Sequence, residues 1–330
     1  MASASVNGVA AGPAAAAGDG VDGTTLPRIH DALRLIYNPH SSNQARQEAQ
    51  AFLESVKTVD QAPSIGFELA SAQSNSPIVR HYGLSLLEDA IKHKWATYTE
   101  EQAGYLRNWV LQLADKVSRD DPLFLRNKVA LLWVEVAKRC WVGEWMDMDE
   151  MLMRLWRVPG PTVHKELVLY ILETLSDEVF SGDDAVVALR DGVLSKACVD
   201  IFTPAAVLAE AFPSRQAGPD VRSGDEGWLN RVADLLQDCL TGDIKNDEAV
   251  RTCAVRSLAV LYSLMPWAVP KAIIASGCVP SMCSGLAASH VAVQKVRLLT
   301  LPGTLVTALT GLGCARGTPR PLFEKSLCRR

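Results

Sequence analysis

From Arg28 to Ala288, apolar side chains recur every three to four positions, the period of a helix with one buried face. Leu33, Ile36 and Tyr37 mark a first helix. Asn38-Pro39 stops it, because the residue before proline avoids the α region. A second helix follows polar capping residues and sets Ala45, Ala49, Phe52, Leu53 and Val56 on one face. The same alternation continues in pairs. Ser64–Ser74 precedes Pro77–Trp95, Thr99–Val117 precedes Pro122–Trp141, and Glu144–Trp156 precedes Thr162–Phe180. Ser76-Pro77, Thr99-Glu100-Glu101-Gln102 and Asp121-Pro122 read as helix starts, with cap, acids or proline in the first turn. Further helices are predicted over Asp184–Val199, Pro204–Ala211, Glu226–Leu240, Asp247–Leu264, Pro266–Ala275 and Val279–Ala288.

No turn signal of the Asn-Gly type separates alternating runs, so strands are not predicted. The expected class is all-α: a HEAT-repeat α-solenoid, an ARM-like superhelix of stacked antiparallel helix pairs. Its unit is near 40 residues, within the HEAT/armadillo range. One pair cannot close a core, so neighbours must stack and leave a concave inner face. Residues 1–27, rich in Ala and Gly, are expected to be a disordered tail. Residues 212–225 read as the clearest internal loop, and residues 296–330, with Gly and Pro throughout, as a divergent disordered tail.

Composition narrows function by exclusion. The formal net charge of −4 over 330 residues lacks the basic excess of a free-standing nucleic-acid binder. No apolar run is long enough for membrane insertion. The eight cysteines contain no CxxC pair and no histidine at metal-ligand spacing, so they read as reduced, mostly packed thiols. Catalytic residues: none. Phosphate-loop, metalloprotease and nucleophile-elbow patterns are missing, and the spacing of Gly311, Gly313 and Gly317 does not fit a phosphate loop. No metal site, cofactor or small-molecule substrate is indicated, and the chain is not expected to be an enzyme. Asp147, Asp149 and Glu150 read as solvated first-turn acids, favoured by the helix dipole. His81 and His164 read as surface or capping residues. Trp133, Trp141, Trp145 and Trp156 fall together; with no cluster of Arg or Lys interleaved, core packing is favoured over an aromatic platform for bases or a partner anchor.

The run SPIVRHYGLSLLEDAIKHKW (76–95), following RQEAQAFLESVK (46–57), resembles the N-terminal domain of the importin-β, or karyopherin, family. Pro77, Arg80, Leu84, Leu87, Ile91 and Trp95 fit the family's second repeat. LFLRNKVALLWVEVAKRCWVGEWMDMDEML (123–152) fits its third, with Trp141 and Trp145 four apart. Within the family, HKELVLYILETLSDEVF (164–180), ACVDIFTPAAVL (197–208) and GDEGWL (224–229) are similar to the exportin-5 type, particularly its fungal members. The likeness spans about residues 28–295, with importin-β N-terminal-like repeats over 28–180 and further exportin-type repeats over 181–295. Val142 and Met146 stand where family members often carry proline, which implies a less rigid turn. The likeness fades near Val296, and since family receptors are several times longer, the chain is expected to be the N-terminal portion only.

The resemblance implies a nuclear transport receptor that shuttles between nucleus and cytoplasm. It would bind Ran-GTP through the inner helices of its first repeats, together with protein or structured RNA cargo and nuclear pore proteins. Those helices are 43–57, 77–95, 122–141 and 162–180. Their polar stripes give the Ran-binding candidates Ser85, Glu88, Asp89, Lys92, Lys128, Glu135 and Lys138. Pro77, Arg80, Trp95, Trp141 and Trp145 would be the structural motif, Arg80 pairing with a neighbouring repeat. The alternative is a HEAT scaffold for protein complexes with no GTPase dependence.

Overall fold

The structure is a computed structural model that describes residues 24–214 and 220–285. The tail over 296–330, the glycines of the 311–317 run, Cys314 and Cys328 lie outside the described residues, as do most of the N-terminal tail and residues 215–219 of the expected loop. Fourteen α-helices and no named strand occur among the described residues. The chain divides into two units, residues 1–65 and 66–330.

In the first unit α1 (Thr25–Tyr37) packs on α2 (Asn43–Val56). Helix α1 starts at Thr25, so the last residues of the expected tail form its first turn. The amphipathic period explains the burial of Ile29, Ala32 and Leu33 on α1 and of Ala49, Leu53 and Val56 on α2. Arg46 donates to the carbonyls of Asn38 and Pro39 at 2.9 and 3.0 Å, which satisfies the turn's backbone. Helix α3 (Ala62–Ser71) runs across the boundary between the units.

The second unit is a stack of helix pairs. Helix α5 (Glu100–Asp115) packs on α6 (Leu123–Cys140), α7 (Met148–Trp156) on α8 (Val163–Phe180), and α11 (Gly227–Thr241) on α12 (Glu248–Leu264). The second members also lie side by side, in the order α4 (Pro77–Asp89), α6, α8, α12. Helix α9 (Ala185–Phe202) contacts α6, α8 and α11, and the short α10 (Ala205–Ala211) contacts α13 (Pro270–Ala275). Helix α14 (Cys278–Gly285) packs on α11.

Local sequence sets most of the starts. Ser76 Oγ accepts from Val79 N, and Pro77 supplies the first residue of α4. Thr99 and Gln102 form a reciprocal capping box, with N···O distances of 2.9 and 3.3 Å. Asp121 departs from its expected role. It does not cap α6; its carboxylate accepts from Ser118 N and pairs with Arg80. The run to Trp95 also departs from a single helix. Helix α4 gives way to a π-helical turn over Ala90–Lys94 and then a tight turn over Trp95–Thr97. Ala90 and Ile91 stay buried while Lys92 and His93 are exposed.

Helix α6 is central because eleven of its 18 residues are buried, which a helix lined by neighbours on several sides requires. Its end is a turn and not a continued helix. Trp141 and Trp145 close a bridge, and the amides of Gly143 and Trp145 both donate to the Cys140 carbonyl at 3.1 Å. Val142 takes φ of +65°, a left-handed conformation that costs a β-branched side chain roughly 1–3 kcal/mol. Proline, locked near −65°, cannot occupy this position. Burial and hydrogen bonds therefore hold the turn. Trp133, Trp141 and Trp145 are almost fully buried, with Trp133 and Trp145 ring centroids 5.2 Å apart. Each such indole contributes about 4–6 kcal/mol of transfer free energy before ordering entropy is subtracted. Trp133, Trp141 and Trp145 are core, the packing role favoured for them, whereas Trp156 is half-buried with the Lys165 ammonium 5.5 Å from its ring centroid.

Two glycines fix how closely α3 and α4 cross. A methyl at Gly83 would lie 2.5 Å from the Gly66 carbonyl oxygen and 2.7 Å from Ala70 N. Both obstacles are backbone, so the helices themselves would have to part. Gly83→Ala is expected to lower unfolding free energy by about 2–3 kcal/mol, read from the urea midpoint at unchanged m-value. A loss under about 0.5 kcal/mol would contradict the crossing.

Candidate protein-binding face

The seams between α4, α6, α8 and α9 are crossed by a run of charges. Glu88 on α4 pairs with Lys92 at 3.1 Å and with Lys128 on α6. Lys92 reaches Glu135 on α6 at 3.6 Å. Glu135 in turn meets Lys138 at 2.9 Å and Arg139 at 2.8 Å. Lys138 continues to Glu178 on α8 at 3.0 Å and to Asp184, the cap of α9, at 2.6 Å. The four acids and four bases balance. Glu88, Lys92, Lys128, Glu178 and Asp184 keep partial access to solvent, whereas the side chains of Arg139, Glu135 and Lys138 are 6%, 2% and 1% exposed.

The pairing sets the protonation of its members. Burial alone would raise the Glu88 carboxyl, but hydrogen bonds from Lys128 and Lys92 hold it below its ordinary value. Burial would lower the Lys138 ammonium, and hydrogen bonds to Asp184, Glu135 and Glu178 outweigh that and raise it. Asp184 is likewise held low by Lys138 and the Val186 amide against a smaller opposing effect of burial than those contacts combined.

Ion pairs also cross the seams elsewhere. Arg80 (α4) pairs with Asp121 just before α6. Arg119 and Arg126 converge on Glu166 of α8 at 3.1 and 2.6 Å. Arg256 of α12 reaches Glu173 of α8 at 3.2 Å, with Tyr170 beneath its guanidinium. Asp149 corrects an expectation. It is 1% exposed, not solvated, because the Ser223 amide donates to it at 2.6 Å and the Trp228 indole N–H donates to its other oxygen. Burial raises its carboxyl, and those two donors with Arg231 and Arg222 offset part of the rise.

The seven sequence-chosen contact candidates thus occupy different surroundings. Ser85 is half-buried and donates to the His81 carbonyl at 3.0 Å. Asp89 is half-buried, and no ion pair joins it among the described residues. Lys92 keeps 35% of its side chain exposed, and Glu88 and Lys128 keep 20% and 17%. Glu135 and Lys138 face the interior. Of the motif residues, Pro77 starts α4, Arg80 pairs across a seam, Trp95 is half-buried against the core, and Trp141 and Trp145 are buried. His81 is half-buried against the Phe124 ring, and burial with the Lys128 charge lowers its imidazole. His164 Nε2 lies 3.1 Å from the Asp115 carbonyl oxygen. Sequence reading did not single out Glu166, Glu173, Arg190 or Arg256, whose partners lie 40 or more residues away. No group of three His, Cys, Asp or Glu suited to a metal occurs among the described residues. The described cysteines are free, and burial pushes Cys140 and Cys253 up to about 12, so neither is a thiolate nucleophile at neutral pH.

Residues 49–116 match the importin-β N-terminal domain family. Over 292 residues the chain is 32% identical to Protein MSN5 of Saccharomyces cerevisiae, an alignment covering 84% of this chain and 23% of the yeast protein. The chain belongs to the importin-β family. It is of the exportin-5 type: Exportin-5 of Mus musculus is 32% identical over 154 residues, 45% of this chain and 12% of the mouse protein. Exportin-5 of Dictyostelium discoideum is 28% identical over 152 residues, 46% of this chain and 13% of that protein. The chain therefore spans less than a quarter of the length of these relatives.

Glu88 provides a pH test of the charged seam. Its lowered value means that its contribution is complete above the ordinary carboxylate range and is lost as pH falls through the folded value. The gap in urea midpoint between wild type and Glu88→Gln is expected to close as pH is lowered from about 7 to about 3. A gap independent of pH would contradict the pairing.

Proposed function

We propose that this importin-β-type chain is the GTPase-binding part of a nuclear export receptor that shuttles between nucleus and cytoplasm and takes up Ran-GTP together with cargo. The observation that carries this reading is the family match over 49–116, continued by likeness to Protein MSN5 over 84% of the chain and to Exportin-5 proteins over about 45% of it. Within the candidate set, Asp89 and Lys92 are the contacts we favour, with Ser85, Glu88 and Lys128 beside them. Glu135 and Lys138 support those side chains from beneath, because their burial keeps a docked protein from reaching them.

Charge bears on cargo. Lys128, Lys138, Arg126 and Arg256 are each matched to a carboxylate, so these four cations do not form an unpaired basic track. Duplex RNA needs many unpaired cations against its phosphates. Protein cargo is therefore favoured over structured RNA for this portion of the receptor.

Immobilised chain is expected to retain Ran in its GTP form and to release it in its GDP form. Asp89→Lys with Lys92→Glu is expected to weaken the GTP-form complex by about tenfold, because rim charges steer and register an interface. Equal retention of both nucleotide forms would contradict the proposal.

A further inference from the structure

The pattern Ser-x-Asp followed by a second acid occurs three times, at Ser118-Arg119-Asp120-Asp121, Ser181-Gly182-Asp183-Asp184 and Ser223-Gly224-Asp225-Glu226. Acids two and three residues after a serine are what a kinase with a basic substrate groove recognises, through charge-assisted hydrogen bonds. The structure separates the three. Ser118 is half-buried, and its hydroxyl accepts from the Asp120 amide at 3.2 Å. Ser223 is half-buried and held on both sides of its backbone: its amide donates to Asp149 at 2.6 Å, and its carbonyl accepts from Arg231 at 2.9 Å. Ser181 is exposed, as are Gly182 and Asp183 after it. Its amide donates to the Asp177 carbonyl at 2.9 Å, whereas no hydrogen bond engages its hydroxyl among the described residues.

Ser181 follows the last residue of α8, and residues 181–184 form the whole connection to α9. The connection is tight: a methyl at Gly182 would lie 2.7 Å from the Glu178 carbonyl oxygen. It also carries a restraint. Asp184 accepts from the Val186 amide at 2.7 Å and from Lys138 Nζ at 2.6 Å, which caps α9 and ties its start to α6.

The surroundings are already negative. Glu178, Asp183 and Asp184 lie within three residues of Ser181, beside the negative end of the α8 dipole. Burial and the Glu178 carboxylate raise the Asp177 carboxyl. The ammonium paired with Glu178 and Asp184 is that of Lys138, which is buried and also shared with Glu135. Arg190, in the second turn of α9, donates to the carbonyls of Lys138 and Trp141. Both cations are therefore committed.

We propose that Ser181 is a phosphorylation site for an acid-directed protein kinase, and that the phosphate releases the start of α9 from α6. The kinase transfers the γ-phosphoryl group of ATP. A bond forms between Ser181 Oγ and the γ-phosphorus, the bond from that phosphorus to the β–γ bridging oxygen breaks, ADP leaves, and the hydroxyl proton passes to a base of the kinase. The product adds a charge of about −1.5 to −2 at neutral pH. At a helix C-terminus among carboxylates, that charge disrupts by repulsion. The repulsion falls on Glu178 and Asp184, the two acids that hold Lys138 from this side, and it loosens the Asp184 cap.

The test incubates the full chain with magnesium, ATP and a purified serine kinase that selects acids at the second and third positions after the serine. The product is mapped by mass spectrometry. One phosphate is expected, on Ser181. Ser181→Ala is expected to remove most of the incorporation. Asp183→Asn, at an exposed acid that joins no ion pair among the described residues, is expected to slow it several-fold. An unchanged thermal midpoint for both variants shows that the loss is not one of folding. Phosphorylation is expected to speed amide hydrogen exchange over residues 184–190 by about tenfold and to leave α1 and α2 unchanged. Ser181→Gln, similar in polarity but uncharged, is expected to exchange like wild type. No incorporation, or phosphate on Ser118 or Ser223 in preference to Ser181, would overturn the site. Unchanged exchange over 184–190 in the phosphorylated chain would overturn the release of α9. None of these readouts involves Ran, so the site and the GTPase reading can each fail without the other.

Discussion

The second unit depends on one constraint: helices at the centre of a stack have neighbours on several sides, so any charge they carry must be matched across a seam. Helix α6 meets this condition most severely. Glu135 and Lys138 sit among its buried residues, and leaving either unmatched would cost roughly 3–5 kcal/mol. Glu135 is matched within α6 by Lys138 and Arg139, and other seam charges are matched one repeat away. Arg80–Asp121, Lys128–Glu88, Arg126–Glu166 and Lys138–Glu178 are separated by 41, 40, 40 and 40 residues. The period that builds the stack thus also sets the spacing of its ion pairs. Paired charges add registry where apolar side chains alone would permit helices to slide.

This arrangement links fold to function. The cations matched inside the seams are engaged by carboxylates of neighbouring helices. The less buried end of the network is at Lys92, which pairs with Glu88 and reaches Glu135. The same network ends at Asp184, which together with Arg190 fixes α9.

How much of this was legible depended on distance along the chain. Ser76-Pro77 and the Thr99–Gln102 capping box announce their helices because the interactions span three residues. The repeat length could be read from apolar periodicity. The seam partners could not, since which polar residue of α6 faces α4 and which faces α8 is decided by packing. Asp121 looked like a cap and is instead the partner of Arg80. Asp149 looked like a solvated first-turn acid, and its donor, Trp228, lies 79 residues further on. Trp141 and Trp145 were legible as core because no cluster of Arg or Lys interleaves with the tryptophans. The left-handed Val142 between them carries no sequence signal, because valine is not a residue that favours that conformation.

A double-mutant cycle on Arg80 and Asp121 tests the central claim most directly. Arg80→Ala, Asp121→Ala and the double variant would be compared by urea unfolding. Direct pairing across the seam predicts a coupling energy of about 2–3 kcal/mol, with the double variant well short of the summed single losses. Losses that add within about 0.5 kcal/mol would contradict the claim that matched charges one repeat apart hold the stack in register.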